Sequence, residues 1–173
     1  MTSKATSAWL QRLQLAGFVE YECGPAAAAV KRRLFVPSGI HAVLSGGTSQ
    51  PPGFPCAAAD LMFHRYRVGN IIHCTRRPQG KGDFKWLENH DEVWVMCFKG
   101  AGVPWRMLGR FARPNLFVGL FNVERGELSP WSAYQAKAAG TIADWDAKFP
   151  GCDPYRGTKF EDYLGSMVFS EDD

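Results

Sequence analysis

Along residues 92–123, three strand-like runs dominated by apolar, β-branched and aromatic residues follow one another, 92–98, 105–111 and 116–123, separated by short connectors rich in Gly, Pro and Asn. Three short runs of this composition with connectors this short predict three strands joined as an antiparallel meander. In the middle run Trp105, Met107 and Phe111 share one side, and Arg106 and Arg110 fall on the other. A sheet packed on its apolar side would therefore display two arginines on the opposite one.

The flanking segments read as mixed structure. Trp9, Leu10, Leu13 and Leu15 recur at helical spacing between Ser7, a residue type that caps helices, and Gly17, a residue type that ends them. Residues 18–22 and 34–36 read as a strand and a basic return strand, 57–66 as a short helix, 70–75 as a strand and 167–169 as a further strand-like run. Ser129 and Pro130 open a further helix. Along it Trp131, Tyr134, Ala138, Ile142, Trp145 and Phe149 follow one another three or four residues apart, until Pro150 and Gly151 stop it. The fold class expected is α+β: an antiparallel sheet centred on the meander at 92–123, with helices packed mainly on one face. The Gly- and Pro-dense stretch 45–55 separates an N-terminal helix-hairpin subregion, 1–44, from a sheet-plus-helix core, 56–173, within one domain. Residues 45–53 lack the Gly-Lys-Ser/Thr ending of a phosphate loop and are read as a plain loop.

Composition narrows the class. The chain has 173 residues of which 46% are hydrophobic, enough for a sizeable core without a metal or disulfide. No apolar run approaches the roughly 18 residues of a membrane span, and the N-terminal residues lack a signal-peptide layout. Five scattered cysteines, an odd number, suit reduced thiols. A cytoplasmic protein with no membrane partner and no cofactor is expected. Cys56, His64, His73, Cys74 and His90 are metal-ligand types, yet no Cys-x-x-Cys or His-x-x-x-His spacing organises them, so no metal site is assigned.

Charge is distributed unevenly. Residues 65–113 hold ten Lys or Arg against four Asp or Glu, whereas residues 124–173 hold five against ten. Such a basic middle raises the local concentration of polyanions. Arg76, Arg77 and Lys81 lie in a Gly-containing basic loop suited to flank a site, and Lys85 and Trp86 follow it. These five are the candidate nucleic-acid-binding residues, with Trp86 as a surface on which a base could stack.

The order of residues 84–87, Glu92 to Trp94, Trp105-Arg106, Arg110-Phe111 and the apolar run 116–121, followed by a helix, resembles the core of RelE-superfamily toxins, especially the HigB-like branch. The likeness covers Phe84 to Phe149. It implies a small sheet-plus-helix protein that cleaves mRNA and is neutralised by an antitoxin. By position, Arg106 and Arg110 would face the RNA phosphate with Lys99 as a charged helper. The sequence departs from that pattern at residues 121–125, where the family's Phe-x-Lys-Lys end is absent, and the family's pair of helices ahead of the sheet is not visible.

Cleavage at a 2′-hydroxyl needs a base, a proton donor and positive charge at the pentacovalent phosphate. Arg106, Arg110 and Lys99 would supply the charge, and His73 or His90 would exchange protons near neutral pH. The function expected is nucleic-acid binding, RNA before DNA, with metal-independent ribonuclease activity of the toxin type. The alternative is a non-catalytic protein-interaction module, such as a regulator or inhibitor encoded by a mobile element, whose partner is an antitoxin-like protein or an inhibited target.

Overall fold

The structure is a computed structural model that describes residues 4–22, 30–47, 53–77, 79–87, 89–100, 102–170 and 172. Cys23, the alanine run at 26–29 and the middle of the Gly- and Pro-dense loop, 48–52, lie outside the described residues. The elements in chain order are α1 (Lys4–Leu15), β1 (Phe18–Glu20), β2 (Arg33–Pro37), α2 (Ser38–Leu44), α3 (Cys56–Arg67), β3 (Ile72–Thr75), β4 (Phe84–Leu87), β5 (Val93–Phe98), β6 (Trp105–Arg113), β7 (Leu116–Glu124), a 3-10 turn (Arg125–Leu128), α4 (Trp131–Lys148), α5 (Phe160–Leu164) and β8 (Val168–Ser170).

All eight strands form one sheet in the order β1-β2-β7-β6-β5-β4-β3-β8. The meander is present and extends through β4: each of the pairs β4–β5, β5–β6 and β6–β7 is antiparallel. The sheet as a whole is nevertheless mixed, which corrects the expectation of an antiparallel sheet, because β2 runs parallel to β7 and β3 runs parallel to both β4 and β8. The parallel pairs β2–β7 and β3–β8 join strands far apart along the chain, as parallel pairing without a tight turn allows, whereas β3 and β4 are linked by the loop 76–83 alone. The chain leaves β2 through α2 and α3 before reaching β3, and leaves β7 through α4 and α5 before reaching β8.

Helices cover both faces, which corrects the expectation that they lie mainly on one. In α3 the residues Ala59, Met62, Phe63 and Tyr66 share a stripe at helical spacing, and they pack with Val43 of α2 and with Phe160 and Tyr163 of α5 against Phe84, Trp94, Met96, Phe98, Met107, Phe111 and Phe117. On the opposite face Trp9 and Leu13 of α1 and Trp145 of α4 cover Phe35, Val118 and Leu120. Farther along the same face Tyr134 and Ala138 of α4 cover Val93, Val95 and Leu108. Strand β5 is consequently buried at every position, and β6 at all but its last. A two-sided cover of this kind selects near-continuous apolar runs. The expected single core thus divides by strand parity: Trp94 and Phe111 face α3 and α5, and Trp145 faces the other way. Trp131 lies outside both cores, and Phe121 is half-buried.

A bulge sets the curvature of the central pair. Leu108 pairs with Phe121 but Gly109 pairs with Gly119, so Leu120 is the extra residue on β7. The two glycines meet where the chains approach closely. A Cβ on Gly109 would run into the carbonyl oxygen of Val118, and one on Gly119 into the Met107 sulfur. The turn between β4 and β5 is strained, with Asp91 and Glu92 both at positive φ, 36° and 62°. Side chains hold it. Asp91 accepts from Arg110 at 2.7 Å and pairs with Arg156, while the buried Glu92 carboxylate accepts the Tyr163 hydroxyl.

These contacts fix three expectations. Phe111→Ala should lower stability by about 3–5 kcal/mol through lost transfer and a cavity. Gly109→Ala should cost about 2–3 kcal/mol because its obstacle is backbone and cannot rotate away. Both are read from urea unfolding, and midpoints equal to wild type would show the β6–β7 contact to be dispensable. The third concerns pH. Burial pushes the Glu92 carboxyl up despite the Tyr163 hydrogen bond. Its stabilisation therefore belongs to the protonated form: complete below the unfolded value of about 4.3, it is lost as pH rises through the higher folded value. Asp91 acts with the opposite sign. Burial alone would raise it, but Arg156 and Arg110 together hold it below the usual range, so its contribution is lost only as pH falls through that lowered value. Glu92→Gln should flatten the decline in unfolding free energy on going from pH 4 to pH 7, and an unchanged slope would remove Glu92 from that role.

Candidate functional site

At one end of the meander the finish of β5, the start of β6 and the finish of β7 lie side by side, since Trp105 pairs with both Phe98 and Glu124. Residues just inside or beyond those ends are brought together. Arg106 follows Trp105 on β6, Lys99 follows β5, and Arg125 follows β7, where its backbone N–H bonds the Pro104 carbonyl at 2.8 Å. On β4, Phe84 and Trp86 point into the α3 side, so the alternation turns Lys85 toward the same end region as Arg106.

The loop before β4 closes the region. Gly80 and Gly82 lie tight against β3, where a Cβ on Gly80 would come to 2.7 Å from the Thr75 side chain and one on Gly82 to 2.9 Å from the same side chain. The Asp83 N–H donates to the His73 carbonyl at 2.6 Å, and the Arg77 N–H to the Thr75 hydroxyl at 3.0 Å. The basic loop therefore does flank a cleft.

That cleft has a volume of about 510 Å³ and is lined by Gln79, Gly80, Lys81, Gly82, Lys85, Lys99, Gly100, Gly102, Pro104, Arg106 and Arg125. A smaller branch of about 150 Å³ shares Gln79, Lys85, Arg106 and Arg125 and adds Leu128, Ser129, Trp131 and Tyr134 at the start of α4. Five cations line the main cleft, and its described lining contains no His, Asp or Glu. Lys99 is balanced by Asp83 at 3.0 Å, which also pairs with Arg65 at 3.3 Å. Among the described residues no carboxylate stands within ion-pair distance of Lys81, Arg106 or Arg125. Arg106 donates to its neighbour's carbonyl, Trp105, at 2.8 Å.

Position in the floor tunes the titrating groups. Lys85 is only 5% exposed. Burial lowers its pKa, and the nearby Arg106, Arg125 and Lys99 lower it further. Tyr134 is 8% exposed, its hydroxyl has no hydrogen-bond partner among the described residues, and burial pushes its pKa up. It stays a neutral O–H donor. Cys97, beneath the cleft, is likewise raised by burial, against the opposing pull of Arg106, Lys85 and Lys99. Chemically the arrangement offers several cationic donors to an anion, with a lysine whose hold on its proton is weakened and a phenol lining the same cavity.

Of the candidates from sequence, Arg106, Lys99, Lys81 and Lys85 meet in the cleft. The others do not. Arg110 was expected on an open face; α4 covers that face, leaving Arg110 1% exposed, bonded to Asp91, 4.0 Å from Asp146 and with its guanidinium 5.5 Å from the Trp145 ring centre. His73 lies on β3 with its ring against Phe169, and His90 sits at the edge of Trp131, 6.3 Å away. Trp86 is on the other face of the sheet, stacked on Trp94 at 5.4 Å and covered by the Arg76 guanidinium at 4.9 Å, so no base reaches it. Arg77 pairs with Asp172 at 3.6 Å. Sequence reasoning missed Arg125, Trp131 and Tyr134. Strand register held the signal for Arg125, because an antiparallel partner that ends at Glu124 must release its next residue beside the start of β6.

Among the described residues no group of three His, Cys, Asp or Glu could hold a metal ion, and no helix is long and apolar enough to cross a membrane. No protein-family model, curated protein or solved structure matches the chain.

Proposed function

We propose that the protein binds nucleic acid, RNA in the first place, by taking phosphodiester groups into the cationic cleft. The observation that carries this reading is the convergence of Lys81, Lys85, Lys99, Arg106 and Arg125 on one cavity whose described lining has no carboxylate. Lys81, Arg106 and Arg125 have no carboxylate within ion-pair distance among the described residues, and holding these charges close costs free energy that a polyanion offsets on binding, with release of its counterions as a further driving force. The described cysteines are free thiols, in keeping with a cytoplasmic setting.

Cleavage of the bound strand is the extension of this reading. Lys85, with its lowered pKa, would take the proton of the attacking 2′-hydroxyl. Arg106 and Arg125 would hold the charge gathering on the phosphate, Lys99 would add to it, and the Tyr134 hydroxyl would protonate the leaving 5′-oxygen. The likeness to RelE-superfamily toxins is the support for it at Arg106, while α2 and α3 follow β1 and β2 of the same sheet and do not form that family's helix pair ahead of the sheet. Because the base works as the neutral amine, cleavage should quicken as pH rises toward the lowered pKa of Lys85.

A protein partner is the second reading. It is favoured by the exposed Ile71, Met167 and Phe169 along the β3–β8 edge.

Filter binding of a 12-mer RNA should weaken steeply with salt. Arg106→Ala and Arg125→Ala should each lower affinity by about tenfold and reduce the salt slope by about one phosphate. Tyr134→Phe and Lys85→Met should slow cleavage by about 10²-fold or more. Absence of binding at low and moderate salt alike would transfer the weight to the protein-partner reading, and wild type that leaves RNA uncut would remove the cleavage step alone. Arg110→Ala serves as the contrast: its loss should lower stability by about 3 kcal/mol through a cavity against Trp145 and broken charged hydrogen bonds, with cleft binding intact in the folded fraction.

A further inference from the structure

Resting on the reading of the cleft as a phosphate site, we infer that its ligand is an unpaired strand, with one base stacked on Trp131 and the neighbouring phosphate on Arg106 and Lys85. Three observations lead there. Trp131 stands on the first turn of α4 at the rim of the smaller branch and is 41% exposed, although the other residues on that helix's apolar stripe are buried or half-buried. Its ring is held in place: Tyr134 packs on it at 5.1 Å with the planes 32° apart, and His90 meets it at 6.3 Å in an edge contact. A fixed, open indole beside a phosphate pocket is a stacking platform, usable by any base because every base has a π face.

The branch behind Trp131 differs in character from the main cleft. It contributes Leu128, Ser129 and Tyr134 in place of further cations, and the buried Tyr134 hydroxyl has no partner among the described residues. A buried hydroxyl left in this state is costly and is satisfied by a ligand that accepts from it. A ribose or base edge beside the phosphate would do so. The depth of the cations gives the third observation. Lys85 and Arg106 lie at the bottom, almost without exposure. A phosphate must descend to reach them, which an unpaired, flexible strand permits and a stiff duplex, with its bases already stacked in pairs, does not.

The test compares one fluorescently labelled 12-mer RNA, single-stranded and annealed to its complement, with inorganic tripolyphosphate and a nucleoside triphosphate as competitors. Wild type should bind the single strand at least tenfold more tightly than the duplex. Trp131→Ala should weaken single-strand binding by about tenfold and leave competition by tripolyphosphate unchanged, and Trp131→Phe should restore most of the loss. Equal affinity for single strand and duplex, or no effect of Trp131→Ala, overturns the inference while the cleft reading stands, provided Arg106→Ala still weakens binding of both RNA and tripolyphosphate by about tenfold. A nucleoside triphosphate that binds as tightly as the 12-mer overturns it in favour of a free nucleotide. Failure of every anion to bind overturns the cleft reading itself.

Discussion

The sheet is apolar on both sides, and every charge on or beside its central strands has had to be dealt with under that constraint. A guanidinium or ammonium held away from water is costly unless paired, hydrogen-bonded or brought to an opening. Three solutions coexist. Arg110 is neutralised in place by Asp91 and lies beside the Trp145 ring. Arg32, just ahead of β2, is satisfied by three backbone carbonyls, those of Leu164, Asn70 and Met167, and thereby ties the β2 entrance to the segment around α5 and β8. Arg106 takes the third course, facing a cleft in which no carboxylate among the described residues stands within ion-pair distance of it, and Lys85 opens onto the same cleft.

The cleft depends on the same two-sided cover. Helix α4 shields the meander from Trp145 at one end to Tyr134 at the other, and its first turn forms the wall of the smaller branch. Asp83 anchors the opposite wall. From a buried position it meets Arg65 of α3, the His73 backbone N–H and Lys99, so a single carboxylate joins a helix, an outer strand and the lip of the cleft. Asp172 has a comparable role near the C-terminus, accepting from the Thr75 hydroxyl and the Arg76 backbone N–H and pairing with Arg77. Two cations of the basic loop are thus used in holding the loop and covering Trp86, while Lys81 and the backbone of Gly80 and Gly82 shape the cavity.

Two arginines separated by four residues on one strand have opposite fates, and local sequence offers no reason. Both share strand parity, both lie among apolar neighbours, and both belong to the resemblance that pointed to a phosphate. What separates them is distance along β6: Arg106 is at the strand's start, beside the ends of β5 and β7, while Arg110 is under the middle of the fold, between the β4–β5 turn and the later part of α4.

The sequence alone determined the meander, the parity of its middle strand and the helices α1 and α4, because strand-like composition and helical spacing are local and each run carries its own turn signals. It also pointed to the basic stretch whose members Lys81, Lys85, Lys99 and Arg106 line the cleft. Tertiary structure decided the rest. The parallel pairing of β2 with β7 joins segments some 80 residues apart in number, from Arg33 to Leu116, and no local pattern encodes such a partner. The second covered face follows from where α1 and α4 pack, and that packing buried Arg110, left Trp131 open and brought Arg125 and Tyr134 into the cleft. Strand and helix periods say which side of an element a residue occupies; only the assembled layers say whether that side meets water, an acid or another side chain.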